Sequence, residues 1–214
     1  MTSEDTYLTL DKPSKGLYKE KMSRFLAFAE PCHTIEDAKE IVSRYRKEYF
    51  DARHCCWAYM IGAGRDTFRS NDDGEPSGTA GKPILGQINS FGLTDICVVV
   101  VRYFGGIKLG TSGLIEAYRT AANLALSEAE IVEKIVEDRL SVQYEYPLMG
   151  EAMRIVKEEG ATVLAQDFQA DNCVLTLSVR KSAMPKVRSR FEGVYGIRIL
   201  DDTAKLESPI GDEG

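Results

Sequence analysis

The apolar run ICVVVV, at Ile96–Val101, constrains the fold of this chain more than any other segment. It is far too short to cross a bilayer, which takes about 20 apolar residues in a helix. A continuous run of this length is typical of a strand that is buried on both faces, near the middle of a sheet. The run leads directly into Arg102, and a buried cation needs a partner of opposite charge. The segment therefore predicts a central strand with an ion pair at its end.

Composition indicates a globular protein with a sizeable core. The 214 residues are 43 % hydrophobic and 28 % charged, which fits one large domain or two small ones and excludes a disordered chain or a membrane protein. The N-terminus, MTSEDTYLTL, carries acidic residues where a signal peptide is basic and then apolar, so we expect a cytoplasmic protein. The net charge of −6 disfavours non-specific nucleic-acid binding, because phosphate affinity comes mainly from Lys and Arg. We expect neither a membrane nor DNA as a partner.

The five cysteines form no recognisable metal motif or disulfide framework. None belongs to a C-x-x-C pair, and reduced, mostly buried thiols are typical of cytosolic proteins. His54, Cys55 and Cys56 are consecutive in a predicted strand, so adjacent side chains point to opposite faces and suit a shared zinc ion poorly. No metal and no cofactor is predicted, and His54 is expected to be a neutral core residue with its hydrogen bonds satisfied.

Hydrophobic periodicity predicts both strands and helices before residue 135. Strands are predicted in GLYKEKMSRFLAFAE and HCCWAYMIG, and helices in TIEDAKEIVSRYRKEYF and LIEAYRTAANLALSEA. Thr34, with Asp37 three residues later, resembles a capping box at the start of the first of these helices. A short helix is also expected within GTAGKPILGQINSF.

A second pattern starts after about Ile135 and follows the order β-α-β-β-α-β. Gly160 is expected to end its first helix, Asp171 and Asn172 to form a hairpin turn, and Ser182 to cap its second helix. This order suits a ferredoxin-like unit.

These patterns together predict the α+β class and a chain of two domains. The predicted boundaries are 1–135 for the first domain and 136–207 for the second. Residues 208–214 are expected to be a loose tail.

The stretch NDDGEPSGTAGKP, at Asn71–Pro83, has the composition of a ligand cradle or of an elaborate turn. Successive N–H groups in a glycine-rich loop can form an anion-binding nest. A P-loop, however, requires a glycine where Pro76 stands and Ser or Thr after the lysine, so this segment is not that nucleotide motif. Asp72 and Asp73 are expected to form a turn, with magnesium binding by the loop carboxylates as the alternative.

A second glycine-rich loop, VVRYFGGIKLGTSG, follows the buried strand. Arg102 is predicted to clamp a carboxylate of the first loop, either Asp73 or Glu75, and the glycines are expected to let the second loop approach closely. The bridge either fixes loop geometry alone or builds a site in which Lys82 and Lys108 receive an anionic ligand or partner. The residues predicted for this composite site are Asp72, Asp73, Gly74, Glu75, Pro76, Ser77, Gly78, Thr79, Gly81, Lys82, Arg102, Tyr103, Phe104, Gly105, Gly106, Lys108 and Gly110.

A basic cluster near the C-terminus predicts a further contact with RNA or a partner protein. Its candidate residues are Lys181, Lys186, Arg188 and Arg190. On a helix, Lys186 and Arg190 share a face, and a merely solvated helix face is the alternative interpretation. No serine has an evident histidine base, and no nucleophile-and-base arrangement of the kind that covalent catalysis needs is evident, so no catalytic residue is predicted.

Two long motifs resemble the signature of the IMPACT family, in its bacterial YigZ-like branch. They are DDGEPSGTAGKPIL and VVVRYFGGIKLGTSGLIEAYRTAA, and SRFLAFA and HCCWAY fit as well. The resemblance implies an N-terminal ribosomal-protein-S5-domain-2-like fold and a ferredoxin-like C-terminal domain similar to a late domain of the translocation elongation factor. It also implies a link to translation, because eukaryotic relatives are translational regulators, although their additional RWD-type domain is not part of the resemblance.

Two functions remain open from the sequence. The first is a translation-linked regulatory protein that binds the ribosome, RNA or a translation factor without catalysis, as the resemblance and the missing catalytic constellation suggest. The second is an enzyme or binding protein for a phosphorylated small molecule or nucleotide, as the two glycine-rich loops and their cations suggest.

Overall fold

The structure, a computed structural model, describes residues 5–200. It combines several sheets and helices, in agreement with the predicted mixed class. The chain divides into two compact units, which within the described residues are 6–134 and Asp5 together with 135–200. Between residues 5 and 200, no helix is both long enough and apolar enough to span a membrane.

The first unit is a sheet with helices on both faces. Its strands are β1 (Thr6–Leu10), β2 (Ser14–Glu20), β3 (Ser23–Pro31), β4 (His54–Ile61), β5 (Thr67–Asn71), β6 (Ile96–Tyr103) and β7 (Ile131–Ile135), and its helices are α1 (Ile35–Glu48), α2 (Gly81–Ser90) and α3 (Gly110–Ser127). Within the described residues, five strands form one sheet in the order β2-β3-β6-β4-β5, and β1 pairs with β7 separately. Each neighbouring pair in the larger sheet is antiparallel.

The predicted central strand is confirmed as β6, the middle strand of this sheet. Alternate residues point to opposite faces. Val98 and Val100 belong to the core that α2 and α3 complete, whereas Val99 and Val101 belong to the core beneath α1. All four side chains are fully buried, which is why this strand shows no polar alternation.

The capping box predicted at the start of α1 is confirmed. The N–H of Asp37 donates to Oγ1 of Thr34 at 3.0 Å, and the N–H of Thr34 donates to the Asp37 carboxylate at 3.0 Å. By contrast, β5 was not predicted, because its sequence, TFRSN, is short and largely polar.

The second unit contains one sheet and two helices within its described residues. The elements are β8 (Glu137–Glu145), α4 (Met149–Glu159), β9 (Thr162–Phe168), β10 (Asn172–Arg180), α5 (Met184–Glu192) and β11 (Ile197–Leu200). The strand order is β11-β8-β10-β9, and all pairs are antiparallel. Val142 and Leu175 of the sheet share a core with Ile155 of α4 and Phe191 of α5. The last predicted strand is described only as far as Leu200, and residues 201–214, including the predicted tail, lie outside the described residues.

Local signals in this unit were partly right. Gly160 follows α4 in the left-handed conformation, with φ of 66°, as a C-terminal cap requires, and β9 and β10 form the predicted hairpin. The prediction that Ser182 caps α5 is wrong. Ser182 lies in a 3₁₀ turn ahead of the helix, where its N–H donates to the Asp5 carboxylate at 2.7 Å and its hydroxyl contacts the same group. A carboxylate far away in sequence therefore takes up the hydroxyl that would otherwise cap the helix.

Candidate functional site

Glu75 links the two glycine-rich loops through a buried ion pair. Nη1 of Arg102 donates to Oε1 of Glu75 at 2.6 Å, and the hydroxyl of Tyr118 donates to the same oxygen at 2.8 Å. The Arg102 and Glu75 side chains are only 6 % and 4 % exposed. The carboxylate partner predicted for Arg102 is therefore Glu75 and not Asp73.

Strand register explains why Arg102 is buried at this point. It continues the face of β6 that carries Val98 and Val100, and it pairs with Phe25 of β3 and His54 of β4. Its guanidinium carbon lies 5.4 Å from the ring centre of Phe25 and 5.5 Å from that of Phe104. A guanidinium stacks on aromatic faces in this way more readily than an ammonium group does.

The Nε–H of Arg102 is a donor without an acceptor in the part of the chain that the structure describes. Its Nε is buried, yet it has no hydrogen-bond partner among the described residues. An unsatisfied buried donor costs about 1–3 kcal/mol, and buried polar groups that remain without a partner in a native protein need a physical explanation.

Asp72 holds the first loop in shape. Its carboxylate accepts the backbone N–H groups of Gly78 at 2.8 Å, Ala80 at 3.0 Å and Gly81 at 2.8 Å, so it satisfies donors at the start of α2. Burial by itself would raise the pKa of Asp72, but these hydrogen bonds outweigh burial and hold the pKa below its ordinary value. Both oxygens of Asp72 are thus engaged with protein donors.

The carboxylate of Asp73 interacts with residues outside the first loop. One carboxylate oxygen accepts from Arg46 at 2.6 Å and the other from the backbone N–H of Cys55 at 2.7 Å. Its carbonyl lies 2.8 Å from Nδ1 of His54. Because a carbonyl only accepts, Nδ1 carries the hydrogen, and Nε2 is then 3.7 Å from Oε2 of Glu75. The loop carboxylates therefore serve separate protein partners, and the described residues contain no cluster of metal-ligating side chains.

The glycines of the second loop play roles other than the one predicted. A Cβ on Gly105 would lie 2.0 Å from the backbone carbon of Met22, so this loop packs against the β2–β3 turn and not against the first loop. Gly106 and Gly110 have open space around them and instead adopt positive φ, of 87° and 74°. The ion pair between Arg102 and Glu75, not close backbone approach, connects the two loops.

A cavity of about 430 Å³ opens where the two loops meet the start of α3. We call it the loop pocket. Its lining residues are Arg53, His54, Glu75, Pro76, Arg102, Phe104, Lys108, Leu109, Gly110, Thr111 and Leu114.

The loop pocket is electropositive. Neither Arg53 nor Lys108 forms an ion pair with a described residue, and Glu75 is already paired with Arg102. The first turn of α3 adds free N–H groups, since no described side chain caps it and it contains no acidic residue. A helix N-terminus carries partial positive charge and favours anions.

Only part of the predicted composite site lines this pocket. Tyr103 points to the opposite face of the sheet, where its hydroxyl donates to Asp51 at 2.8 Å. The predicted residues that do not line the pocket are Asp72, Asp73, Gly74, Ser77, Gly78, Thr79, Gly81, Lys82, Tyr103, Gly105 and Gly106.

Sequence reasoning did not assign Arg53, His54, Tyr118 or Thr111 to this site. Arg53 and His54 reach it because β4 pairs with β6, and Tyr118 because α3 packs on the same face. Strand pairing and helix packing are tertiary properties, and no local pattern reports them. Among these residues, only Arg53 could have been suspected from the sequence, because it is a cation directly before a buried strand.

Two of the four cations in the predicted basic cluster of the second unit are paired with carboxylates of described residues. Lys186 and Arg190 share a face of α5, as predicted, but both reach Glu159 of α4, at 2.8 Å each, and Arg190 also reaches Glu158 at 2.6 Å. Hydrogen bonds from Lys186 and Arg190 lower the pKa of Glu159. These two cations therefore present less free charge than their sequence spacing suggests.

The reactive side chains near the site are kept in their neutral forms. Burial raises the pKa of the Cys55 thiol to about 11 and raises the pKa of the Cys56 thiol and the Tyr118 phenol further. Neither thiol is a nucleophile in that state, because the thiolate is the reactive form. Fixed donors and cations are what the loop pocket offers a ligand.

Several known proteins are similar to this chain over most of its length. A family model described as the Impact N-terminal domain matches residues 21–126, which include both loops. The IMPACT family member YigZ of Escherichia coli (strain K12) is 39 % identical over 152 residues, covering 70 % of this chain and 74 % of that protein. The IMPACT family member YvyE of Bacillus subtilis (strain 168) is 35 % identical over 153 residues, covering 72 % and 70 %. A crystal structure of a hypothetical protein matches with a TM-score of 0.71 at 31 % identity, covering 92 % of this chain and 98 % of that one.

Proposed function

The chain belongs to the IMPACT family, and from this membership we propose that it is a translation-linked regulatory protein of the cytoplasm that binds a phosphate group of RNA in the loop pocket. The proposed partner is the ribosome, RNA or a translation factor. In this proposal the first unit has the ribosomal-protein-S5-domain-2-like fold and the second is ferredoxin-like. Both folds recur in RNA-binding proteins, but fold alone does not establish function.

The cations that face the loop pocket are the observation that carries the proposal. Arg102 lines a pocket that also presents Arg53, Lys108 and the uncapped start of α3, and neither Arg53 nor Lys108 forms an ion pair with a described residue. A phosphate group supplies the negative charge that these two cations lack. Guanidinium groups and helix N-termini are both common phosphate ligands.

Glu75 and Tyr118 prepare Arg102 for this role. Tyr118 donates to the Glu75 carboxylate, and that carboxylate holds the guanidinium of Arg102 in one position before any ligand arrives. Preorganisation reduces the entropy lost on binding, so a single buried cation contributes more than a mobile surface lysine does. In this proposal the ion pair fixes the geometry of the two loops and also orients the guanidinium of Arg102. The bridge therefore has both the structural role and the binding role that the sequence left as alternatives.

The basic cluster of the second unit is a secondary contact in this proposal. Lys181, Lys186, Arg188 and Arg190 remain candidates, although Glu158 and Glu159 offset two of these charges. Salt-dependent binding is expected to depend more strongly on the loop pocket.

A second candidate function is binding, or turnover, of a phosphorylated small molecule or nucleotide. The volume of the loop pocket favours it, because about 430 Å³ falls within the usual range for small-molecule sites. Phe104 and Leu114 supply apolar walls beside the cations. The two candidates share the phosphate and differ in what is attached to it.

Co-sedimentation with ribosomes across a salt series tests the proposed function. The test variant is Lys108→Glu, which reverses an exposed charge of the loop pocket and leaves the buried ion pair intact. Lys47→Glu is the matched control, because Lys47 is exposed on α1, on the opposite face of the sheet.

We expect the wild type and Lys47→Glu to pellet with ribosomes at low salt and to be released as salt rises. Lys108→Glu is expected to stay in the supernatant. If the wild type does not pellet at low salt, the translation-linked proposal is wrong, and the small-molecule candidate takes its place. Equal pelleting of both variants would remove the loop pocket from the contact.

A further inference from the structure

A second cavity of the first unit lies on the other face of its sheet. It has a volume of about 400 Å³ and runs between α1 and the end of β5. We call it the aromatic groove and define it by Lys39, Arg46, Trp57, Tyr59, Asn71 and Asp73, the last of which is paired with Arg46. It is separate from the loop pocket, because β4 directs His54 to one face and Trp57 and Tyr59 to the other.

Two stacked rings form one wall of the aromatic groove. The ring centres of Trp57 and Tyr59 are 5.7 Å apart, and the ring planes differ by 5°. The two residues are separated by one position on β4 and therefore project from the same face. Trp57 is only partly buried, so its ring presents flat aromatic surface to the groove, whereas Tyr59 is 6 % exposed and supports the Trp57 ring from within the core. Nucleic-acid bases stack on such surfaces without strong sequence preference, since every base has a π-face.

Cations border these rings on both sides. Lys39 and Arg46 line the groove from α1. Arg69 of β5 is exposed and lies opposite Tyr59 in register, so it projects from the same face of the sheet. Lys39 and Arg46 have carboxylate neighbours, Glu36 at 3.6 Å and Asp73 at 2.6 Å, but the cations are 72 % and 55 % exposed. Exposed pairs of this kind contribute little to stability.

The position of the groove leaves room for an extended ligand. Among the described strands, β5 is an edge strand whose sheet neighbour is β4. The side-chain amide of Asn71 lines the groove, and its Oδ1 is fixed by the N–H of Asp73 at 2.8 Å. Stacked rings, flanking cations and a held amide at an open edge together match a strand with bases on one side and phosphates on the other.

We propose that the aromatic groove binds single-stranded RNA, with an unpaired base stacked on Trp57, whose ring Tyr59 supports, and the adjoining phosphates beside Lys39 and Arg69. This inference rests on the proposed function, in that the ligand is RNA, but it concerns a different surface. The loop pocket binds a phosphate, whereas the aromatic groove binds a base. An extended peptide added to β5 is the competing occupant, and it gains support if oligouridylate leaves the Trp57 emission unchanged.

The chain provides its own reporter for this test, because Trp57 is its only tryptophan. Tryptophan fluorescence is recorded during titration with a short oligouridylate and, separately, with an abasic ribose-phosphate strand of equal length. The fluorescence anisotropy of labelled oligouridylate is followed in parallel and reports all RNA binding. We expect oligouridylate to quench Trp57 and the abasic strand to leave its emission unchanged.

Two variants separate the groove from the loop pocket. Arg69→Glu changes an exposed position. We expect it to raise the Kd obtained from Trp57 quenching about tenfold, because a cation beside the stacked bases is lost. Lys108→Glu is expected to weaken binding by anisotropy while the quenching at saturation is retained. Tyr59→Leu is a further variant, but Tyr59 also packs in the core beneath α1, so Arg69→Glu is the primary one.

The outcomes are distinguishable. Binding by anisotropy with unchanged Trp57 emission overturns the groove proposal and leaves the proposed function standing. Equal quenching by the abasic strand also overturns it, because stacking is then not the cause. No binding by either readout overturns both proposals. Quenching that is retained in Lys108→Glu, without any loss of affinity, supports the groove and contradicts the role of the loop pocket.

Discussion

Nη1 of Arg102 lies 2.6 Å from Oε1 of Glu75, and the two side chains are 6 % and 4 % exposed. This ion pair joins the end of the central strand to the first glycine-rich loop. Its burial makes it costly to break from one side, since the remaining charge stays in a low-dielectric environment. The pair is therefore a structural joint, and in the proposed function Arg102 also belongs to the phosphate-binding surface.

Arg102→Ala is expected to destabilise the first unit strongly. The carboxylate of Glu75 would remain buried with only Tyr118 as donor, and removal of one partner of a buried pair costs about 3–5 kcal/mol. Urea denaturation followed by circular dichroism measures the loss. Arg119→Ala is the control, because Arg119 forms an exposed pair with Glu116 and is expected to cost less than about 1 kcal/mol. Equal losses in the two variants would show that the buried pair is not a structural joint.

Asp72→Asn is expected to weaken the dependence of stability on pH in the acid range. The folded-state pKa of Asp72 lies below its ordinary value of 3.8, so the unfolded state binds the proton more readily. Stabilisation by this carboxylate is present above that ordinary value and is lost as the pH falls through the folded-state pKa. In the variant this part of the acid-induced loss is expected to disappear. Denaturation midpoints from pH 6 downward test this, with the exposed Asp66→Asn as a control; parallel curves for wild type and Asp72→Asn would contradict it.

Gly105→Ala is expected to displace the second loop. The added Cβ would lie within 2.4 Å of three backbone atoms of Met22 and Ser23, and backbone cannot move aside as a flexible side chain can. We expect destabilisation of at least about 1–3 kcal/mol, as for other overpacked sites, with weaker ligand binding. Gly86→Ala provides the contrast, because Gly86 lies inside α2 with open space around it. That substitution is expected to be neutral or to stabilise by up to about 1 kcal/mol.

Phosphate-bearing ligands are expected to raise the thermal stability of the protein. A ligand at a hundred times its Kd adds about 2.7 kcal/mol to the free energy of unfolding. Inorganic phosphate, nucleoside monophosphates and a short RNA are compared by thermal denaturation in the wild type and in Lys108→Glu. A shift with RNA and a nucleotide that disappears in the variant supports the loop pocket. A shift with a single small molecule and none with RNA would favour the second candidate function.

Local chemistry makes some parts of this molecule predictable, and tertiary packing hides others. A buried strand that ends in Arg102 requires a carboxylate, and this requirement alone predicts a link between the two loops. The capping box of Thr34 and the left-handed cap at Gly160 depend on neighbouring residues only, so their patterns are visible in the sequence. The choice of Glu75 over Asp73 depends on strand register.

The predictions that were wrong or missing depend on tertiary packing, which local sequence patterns do not report. Serine is a common helix cap, but Ser182 instead donates its N–H to the carboxylate of Asp5, which is remote in sequence. The prediction of a basic cluster on α5 took no account of Glu159, which lies on another helix, 2.8 Å from Lys186. Trp57 and Tyr59 read as ordinary strand residues, and only the packing of α1 beside them makes a groove.

The salt dependence of RNA binding tests the central claim most directly. Affinity for a short single-stranded RNA is measured by anisotropy from low to moderate salt for the wild type, Lys108→Ala and Lys47→Ala. The slope of log K against log salt reflects the number of phosphate contacts, at about 0.7 for each contact with a single strand. We predict that Lys108→Ala makes this slope shallower by about 0.7 and that Lys47→Ala leaves it unchanged. The same slope and affinity for Lys108→Ala and the wild type would contradict the assignment of the loop pocket as a phosphate site.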